Sequence, residues 1–364
     1  MQAVRGDELV VTMAPVRHDL RDLSRFATEL LVAAGLNDAK AATTARLLVV
    51  ADAMGHSTHG LAQLADYLDE IEAGEMEIHG GPTVVADHGA AVVWDGRRLP
   101  GVWLAAEAVA LASERAASLG LCAVTIRRSH HIGCLAALLT HATDRGLMVM
   151  VACSDPSAAM VAPFGGREGV FTPDPIAIGV PTDSDPILID MSSSITTAGM
   201  SGRLRRQGLR YPGDWAVDAE GRPSDDPGVL VADPPGALLP AGGLDHGQKG
   251  YGLALMVEAL TQGLSGYGRA DGEGGWGASV FVQVFDPALF GGRDAFAGQT
   301  GFIAALCRSA APIDPAQPVR LPGEAALRGL RDAEVCGVAL YPGVLEGLAE
   351  AAARYGVAAP QVVG

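Results

Sequence analysis

Four side chains in three short stretches of this 364-residue sequence have the type and setting to do chemistry. His59 stands in THGLAQLADYL (58–68), His130 and His131 stand side by side in SHHIG (129–133), and Lys249 stands in DHGQKGYGLAL (245–255). Each stretch falls at the end of an element beside glycines, where backbone can approach a ligand closely and a side chain can point into a cleft. An imidazole titrates near pH 6.5 and can give or take a proton at neutral pH. A lone histidine is often only a hydrogen-bonded core residue; three in matching settings weaken that explanation. Lys249 lies just before an apolar helix whose positive dipole end disfavours a cation, so something negative is expected there. Its ammonium and the backbone N–H groups of Gly250, Tyr251 and Gly252 form an anion site suited to a phosphate or carboxylate.

Other sources of chemistry are weaker. A G-x-G-x-x-G pattern occurs at Gly272, Gly274 and Gly277, but no strand leads into it and no helix follows, so it reads as a turn. Cys122, Cys134, Cys153, Cys307 and Cys336 are odd in number and lack C-x-x-C spacing, which points away from a disulfide framework or a metal site and toward a reducing cytoplasm. A net charge of −16 argues against nucleic acid as a partner. The one basic cluster, RLRRQGLR (203–210), reads as a solvated loop. No apolar run reaches the roughly 20 residues of a membrane span, and the first 20 residues lack the order of a signal peptide.

The elements that must position these groups follow from periodicity. Apolar residues at three-to-four spacing predict helices over 18–35, 37–54 (capped by Asn37, ended by Gly55) and 60–73. Strands over 90–96, 121–128 and 147–154 alternate with helices over 101–119 and 135–146, an α/β pattern. Short strands follow near 176–180 and 186–191, then a long loop over 201–245. The stretch 251–266 is apolar on nearly every face and is expected to be an internal helix. A strand at 278–286, a helix near 293–310, and a final strand and helix complete the chain. The expected division is a flexible 1–17, a helical unit 18–75, an α/β cofactor and catalytic region 76–250, and a C-terminal α/β part 251–364 packing back on the helical unit.

Taken in order, ADAMGHSTHG, RRSHHIG, VAPFGG, ILIDMSSS, WAVDAEGRPSDDP, QKGYGLALMVEALTQGLSG and LPGE resemble the malate/L-lactate dehydrogenase family of the second type, which includes ureidoglycolate, sulfolactate and Δ1-piperideine-2-carboxylate oxidoreductases. The resemblance spans about residues 18–358. It implies a non-Rossmann α/β fold of the L-sulfolactate dehydrogenase kind, with an N-terminal helical unit and a mixed-sheet cofactor domain. It also implies a homodimer and NAD or NADP as cofactor. It assigns acid/base catalysis to His131, a substrate-facing role to His59, and a cofactor contact to Asp190, which could also orient His131. Cofactor contacts fall further on Met191, Ser154, Asp155, Asp174, Lys249 and Gly250, and His130 takes the place of an asparagine near the substrate.

The departures concern binding. The family's arginine that clamps the substrate carboxylate is Gln63 here, its Thr-Asn-Ser loop reads Cys153-Ser154-Asp155, its Gly-Thr-Asn-Pro reads Thr172-Pro173-Asp174-Pro175, and the lysine of its Gly-Lys pair is Met200. Two added carboxylates and a lost lysine are expected to make the cofactor groove more negative. Arg128 is the expected replacement clamp; without one, an uncharged analogue is preferred over simple malate or lactate. The leading expectation is an NAD(P)H-dependent oxidoreductase reducing the C=O or C=N of a 2-oxo or cyclic imino acid derivative. Two alternatives are a cofactor-independent descendant using the histidines for isomerisation, cyclisation or elimination, and a non-catalytic binding or scaffold protein.

Overall fold

The computed structural model describes residues 16–272 and 277–363, so residues 1–15, residues 273–276 of the glycine-rich stretch and residue 364 lie outside the described residues. Strand β1 (Arg17–His18) leads into helices α1 (Leu20–Ala33), α2 (Asp38–Ala53) and α3 (Leu64–Glu72). Asp19 and Asn37 cap the first two helices by accepting backbone N–H groups, Arg21 and Asp22 in one case and Lys40 in the other. After them come β2 (Thr83–Asp87), β3 (Ala91–Asp95), α4 (Gly101–Leu119), β4 (Leu121–Ser129), α5 (Leu135–Thr143), β5 (Met148–Ser154), β6 (Ile176–Val180) and β7 (Ile187–Met191). The chain continues through α6 (Ala198–Arg206), β8 (Ala216–Val217), β9 (Pro223–Ser224), β10 (Ala237–Leu238), α7 (Gly243–His246) and α8 (Gln248–Glu258). It closes with β11 (Ala278–Phe285), α9 (Arg293–Ser309), α10 (Glu324–Cys336), β12 (Val338–Ala339) and α11 (Val344–Tyr355).

Seven strands form one mixed sheet in the order β2-β3-β4-β11-β5-β6-β7. Only β3 and β4 pair in parallel, joined by the α4 crossover. The central strand β11 shows why the sheet is covered on both faces. Val280, Val282 and Val284 join the core under α4 and α5, while Phe281 on the opposite face packs with Ala152, Ile176 and Val257 of α8. Because β11 is antiparallel to both β4 and β5, and β6 is antiparallel to β5 and β7, strands β4, β5 and β7 all run one way. Their carboxyl ends carry the SHH, Ser154-Asp155 and Asp190-Met191 segments to the same edge of the sheet. From the far end of the chain, β12 pairs with β1, and residues of α10 and α11 join the core that α1 to α3 build.

Two expectations need correction. The stretch 201–245 is not one long loop: α6 begins on Thr197, whose hydroxyl caps Met200 N–H, and β8, β9 and β10 form a small sheet of their own. Nor is 251–266 internal on all sides. Ala254 and Val257 are buried, but Leu255, Met256 and Leu264 are 48, 44 and 57% exposed. Among the described residues, no helix is long and apolar enough to cross a membrane.

Candidate active site

A cavity of about 430 Å³ opens at the convergent strand ends, lined by His56, Thr58, His59, His131, Cys134 and Asp190, together with Ser154, Asp155, Met191, Met200 and Arg203. The loop that carries His59 is held by Asp52 of α2, whose carboxylate accepts Leu61 N–H at 2.7 Å. Burial pushes Asp52 up to about 7, against the pull of that hydrogen bond. Gln63 braces the same loop by donating its amide to Thr58 O at 2.9 Å. On the other side, α4 begins so close to the histidine pair that a Cβ on Gly101 would meet His130 O at 2.0 Å, so only glycine lets the helix reach this point.

The two adjacent histidines have different surroundings. Successive side chains of an extended segment point to opposite sides. His131 lines the cavity, stacked against His59 with ring centroids 5.7 Å apart. His130 is buried outside the cavity lining, with the edge of the Tyr67 ring against it and Glu70 Oε2 3.9 Å from its Nε2. Tyr67, on α3, stands between the two and shares a 2.7 Å hydrogen bond with His131 Nδ1, which fixes the ring. Burial raises the Tyr67 phenol far above its ordinary range, so it stays protonated. Burial, with His59 and His130 beside it, pushes His131 down to about 3. Burial also lowers His59, against the attraction of Asp190, and takes His130 to about 4. His59, His130 and His131 are therefore neutral imidazoles at pH 7.

Asp190, one residue before the end of β7, accepts the Ala136 N–H at 2.9 Å at the start of α5, with the Cys134 thiol 3.8 Å from the same oxygen. His56, Cys134 and Asp190 present donor atoms within 4.8 Å of one another, close enough for one metal ion. Burial and the Asp190 charge push the Cys134 thiol up to about 12, so with no cation beside it the group is a thiol at neutral pH. Asp155 is tied to its own turn by Ser157, which donates both N–H (2.8 Å) and hydroxyl (2.7 Å) to it. Ser154 Oγ bonds Thr261 Oγ1 at 2.7 Å and Gln262 Nε2 at 3.1 Å. Asp174 is buried behind the lining and accepts a short hydrogen bond from Thr172. Burial, then the charge of Glu258, pushes it up to about 8, so it is neutral at pH 7. One of the two added carboxylates therefore contributes no charge to the groove at that pH.

Other sequence-derived site residues lie elsewhere. Arg128 does not line the cavity; it is paired with Asp95 through Nε (3.1 Å) and Nη2 (2.5 Å). Gln63 is likewise outside the lining. Lys249 is exposed outside the lining, and the anion site expected around it does not form from free backbone N–H groups. The helix starts earlier than anticipated, so Gly250 N–H bonds Ala241 O at 3.1 Å and Tyr251 N–H bonds Gly247 O at 2.9 Å. Sequence reasoning missed two groups: Tyr67, which looks like an ordinary apolar position of α3, and Arg203, assigned to a solvated loop.

Residues 18–349 match the malate/L-lactate dehydrogenase family, and the chain belongs to it. It is 30% identical over 349 residues to hydroxycarboxylate dehydrogenase B of Escherichia coli O157:H7, covering 94% of this chain and 95% of that one. It is 35% identical over 289 residues to the (2R)-3-sulfolactate dehydrogenase (NADP(+)) of Chromohalobacter salexigens, covering 74 and 81%. Among solved structures, malate dehydrogenase of Pyrococcus horikoshii superposes with a TM-score of 0.83 at 29% identity, covering 94 and 97%. The mixed α/β architecture anticipated from the motifs is thus the one observed.

Proposed function

We propose that this chain is an NAD(P)H-dependent oxidoreductase that reduces the C=O or C=N of a 2-oxo or cyclic imino acid derivative, with His131 delivering the proton. The observation that carries this reading is His131 itself, with Nδ1 fixed by Tyr67 and its ring against His59 at the wall of a cavity sized for a small ligand and a nicotinamide ring. A relative whose name includes NADP(+) supports a nicotinamide cofactor. Ser154, Asp155, Asp190 and Met191 would hold its nicotinamide end, and Asp174, Lys249 and Gly250 remain assigned to it by the resemblance. When bound, the nicotinamide supplies hydride. His131 Nε2 then gives a proton to the oxygen or nitrogen on which negative charge develops. The developing charge itself favours the imidazolium that burial disfavours, and Asp190 adds negative charge near His59. Met160, Met191 and Met200 add apolar surface to the cavity wall.

The same reading places the enzyme in the cytoplasm, consistent with its free cysteines, and makes it a homodimer. Exposed Leu255, Met256 and Leu264, and on α9 Phe302, Ile303 and Leu306, supply apolar surface for a second copy. Fluorescence titration with NADH and NADPH tests the central point. Saturable binding of either is expected; failure of both to bind would leave the histidines to cofactor-independent acid/base chemistry.

A further inference from the structure

We propose that Arg203 is the specificity-determining residue that holds the substrate's carboxylate, replacing the arginine missing at position 63. This rests on the proposed reduction and names its substrate class: compounds with a free carboxylate beside the reducible C=O or C=N.

Arg203 is the only lysine or arginine lining the cavity among the described residues. Its guanidinium lies 3.7 Å from the centroid of the Tyr341 ring, and Nη1 donates to Ser57 Oγ at 3.2 Å, two residues from His59. Stacking uses the face of the guanidinium and leaves the N–H groups on its edge, in the plane that suits a carboxylate. Among the described residues no carboxylate pairs with it, although it is half-buried. No carboxylate lies at ion-pair distance from this half-buried arginine, whose charge reaches the buried Asp52 carboxyl only from further off, so it offers an anionic ligand a cation in a cavity that also contains Asp155 and Asp190.

The two rival clamps are occupied otherwise. Gln63 is committed to Thr58 O, and Arg128 to Asp95. Arg203 lies three residues after Met200, hence on the same side of α6, and Met200 also lines the cavity. Gly199 sets the approach: a Cβ there would lie 3.2 Å from Thr58 Cβ, so α6 rests directly on the loop that carries His59. The cation and His59 are therefore held by the same short loop.

The test uses Arg203→Met and Arg203→Lys. Pyruvate, phenylpyruvate and oxaloacetate are compared with their methyl esters in the NADH- or NADPH-dependent reduction. Arg203→Met should lower kcat/KM for a turned-over acid by at least about 100-fold, mainly through KM, while changing the ester by less than about 3-fold; Arg203→Lys should recover part of the loss. Oxalate supplies a readout independent of turnover and cofactor: it should raise the thermal unfolding midpoint of the wild type and not of Arg203→Met. Equal losses for acid and ester, or equal oxalate protection of both proteins, would overturn the assignment. Oxalate protection that depends on Arg203 in a protein that binds neither NADH nor NADPH would uphold the carboxylate site and refute the reductase reading.

Discussion

Replacing Tyr67 by phenylalanine removes one oxygen from a side chain that is 2% exposed and leaves its ring packing in place. That oxygen lies 2.7 Å from His131 Nδ1, and its loss leaves a poorly hydrated ring nitrogen without that partner. An unsatisfied buried polar group costs about 1–3 kcal/mol. Part of this should appear as lost stability, about 1–2 kcal/mol in urea unfolding. The rest should appear in catalysis, because the ring no longer has a fixed orientation and the proton donor must be in place when charge develops. About 10- to 100-fold in kcat is expected, with KM and nicotinamide affinity changed less than about 3-fold. Steady-state kinetics at saturating cofactor, with an unfolding curve for the same variant, separates the two effects. An unchanged kcat would refute the role of Tyr67 in placing the ring. A parallel collapse of kcat, cofactor affinity and stability would show that the phenol merely supports the fold.

Three further outcomes follow from the same geometry. His131 is held near 3, so its charged form in the free enzyme grows about tenfold for each pH unit lost; reductive kcat/KM should rise with slope −1 from pH 8 to pH 5, and an inflection at pH 6–7 would show an ordinary imidazole. Asp174 has a folded value of about 8 against 3.8 unfolded, so its contribution to stability is greatest below pH 3.8 and declines as pH rises toward 8. Asp174→Asn should therefore gain on the wild type between pH 5 and pH 8, by up to about 1.4 kcal/mol per pH unit in urea unfolding, and a pH-independent difference would contradict the burial argument. Gly60→Ala would put a Cβ 2.3 Å from the Asp52 carboxyl carbon, displacing the group that holds Leu61 N–H; a loss of about 2–4 kcal/mol in unfolding free energy is expected, and a neutral variant would show that the loop adjusts freely.

The elements that place His131 were legible because their signals are local. Alternating apolar residues mark β4 and β11, Asn37 marks the start of α2, and the SHH segment falls at a strand end. The motif order also gave the architecture, including its departure from the nucleotide-binding fold that a glycine pattern alone would have invoked. What stayed hidden depends on contacts distant in sequence. Arg203 lies in AGMSGRLRR, two glycines among four residues and three arginines with no apolar stripe, so the cap at Thr197 is a weak signal for α6; its position comes from packing on Thr58 and Tyr341. The prominent Arg128 was a poorer guide, since Asp95, 33 residues earlier, claims its charge. Charge counting credits the groove with one carboxylate too many at pH 7 for a related reason: burial keeps Asp174 neutral, and burial cannot be read from composition.

The central claim, proton delivery from His131 during nicotinamide-dependent reduction, is tested most directly by single-turnover oxidation of bound NADH or NADPH, followed by absorbance with a turned-over 2-oxo acid, for the wild type and His131→Asn. The account predicts that the variant folds and binds the reduced cofactor as tightly as the wild type, yet transfers hydride at least about 10²-fold more slowly. A His131→Asn enzyme that oxidises bound cofactor at the wild-type rate would contradict it.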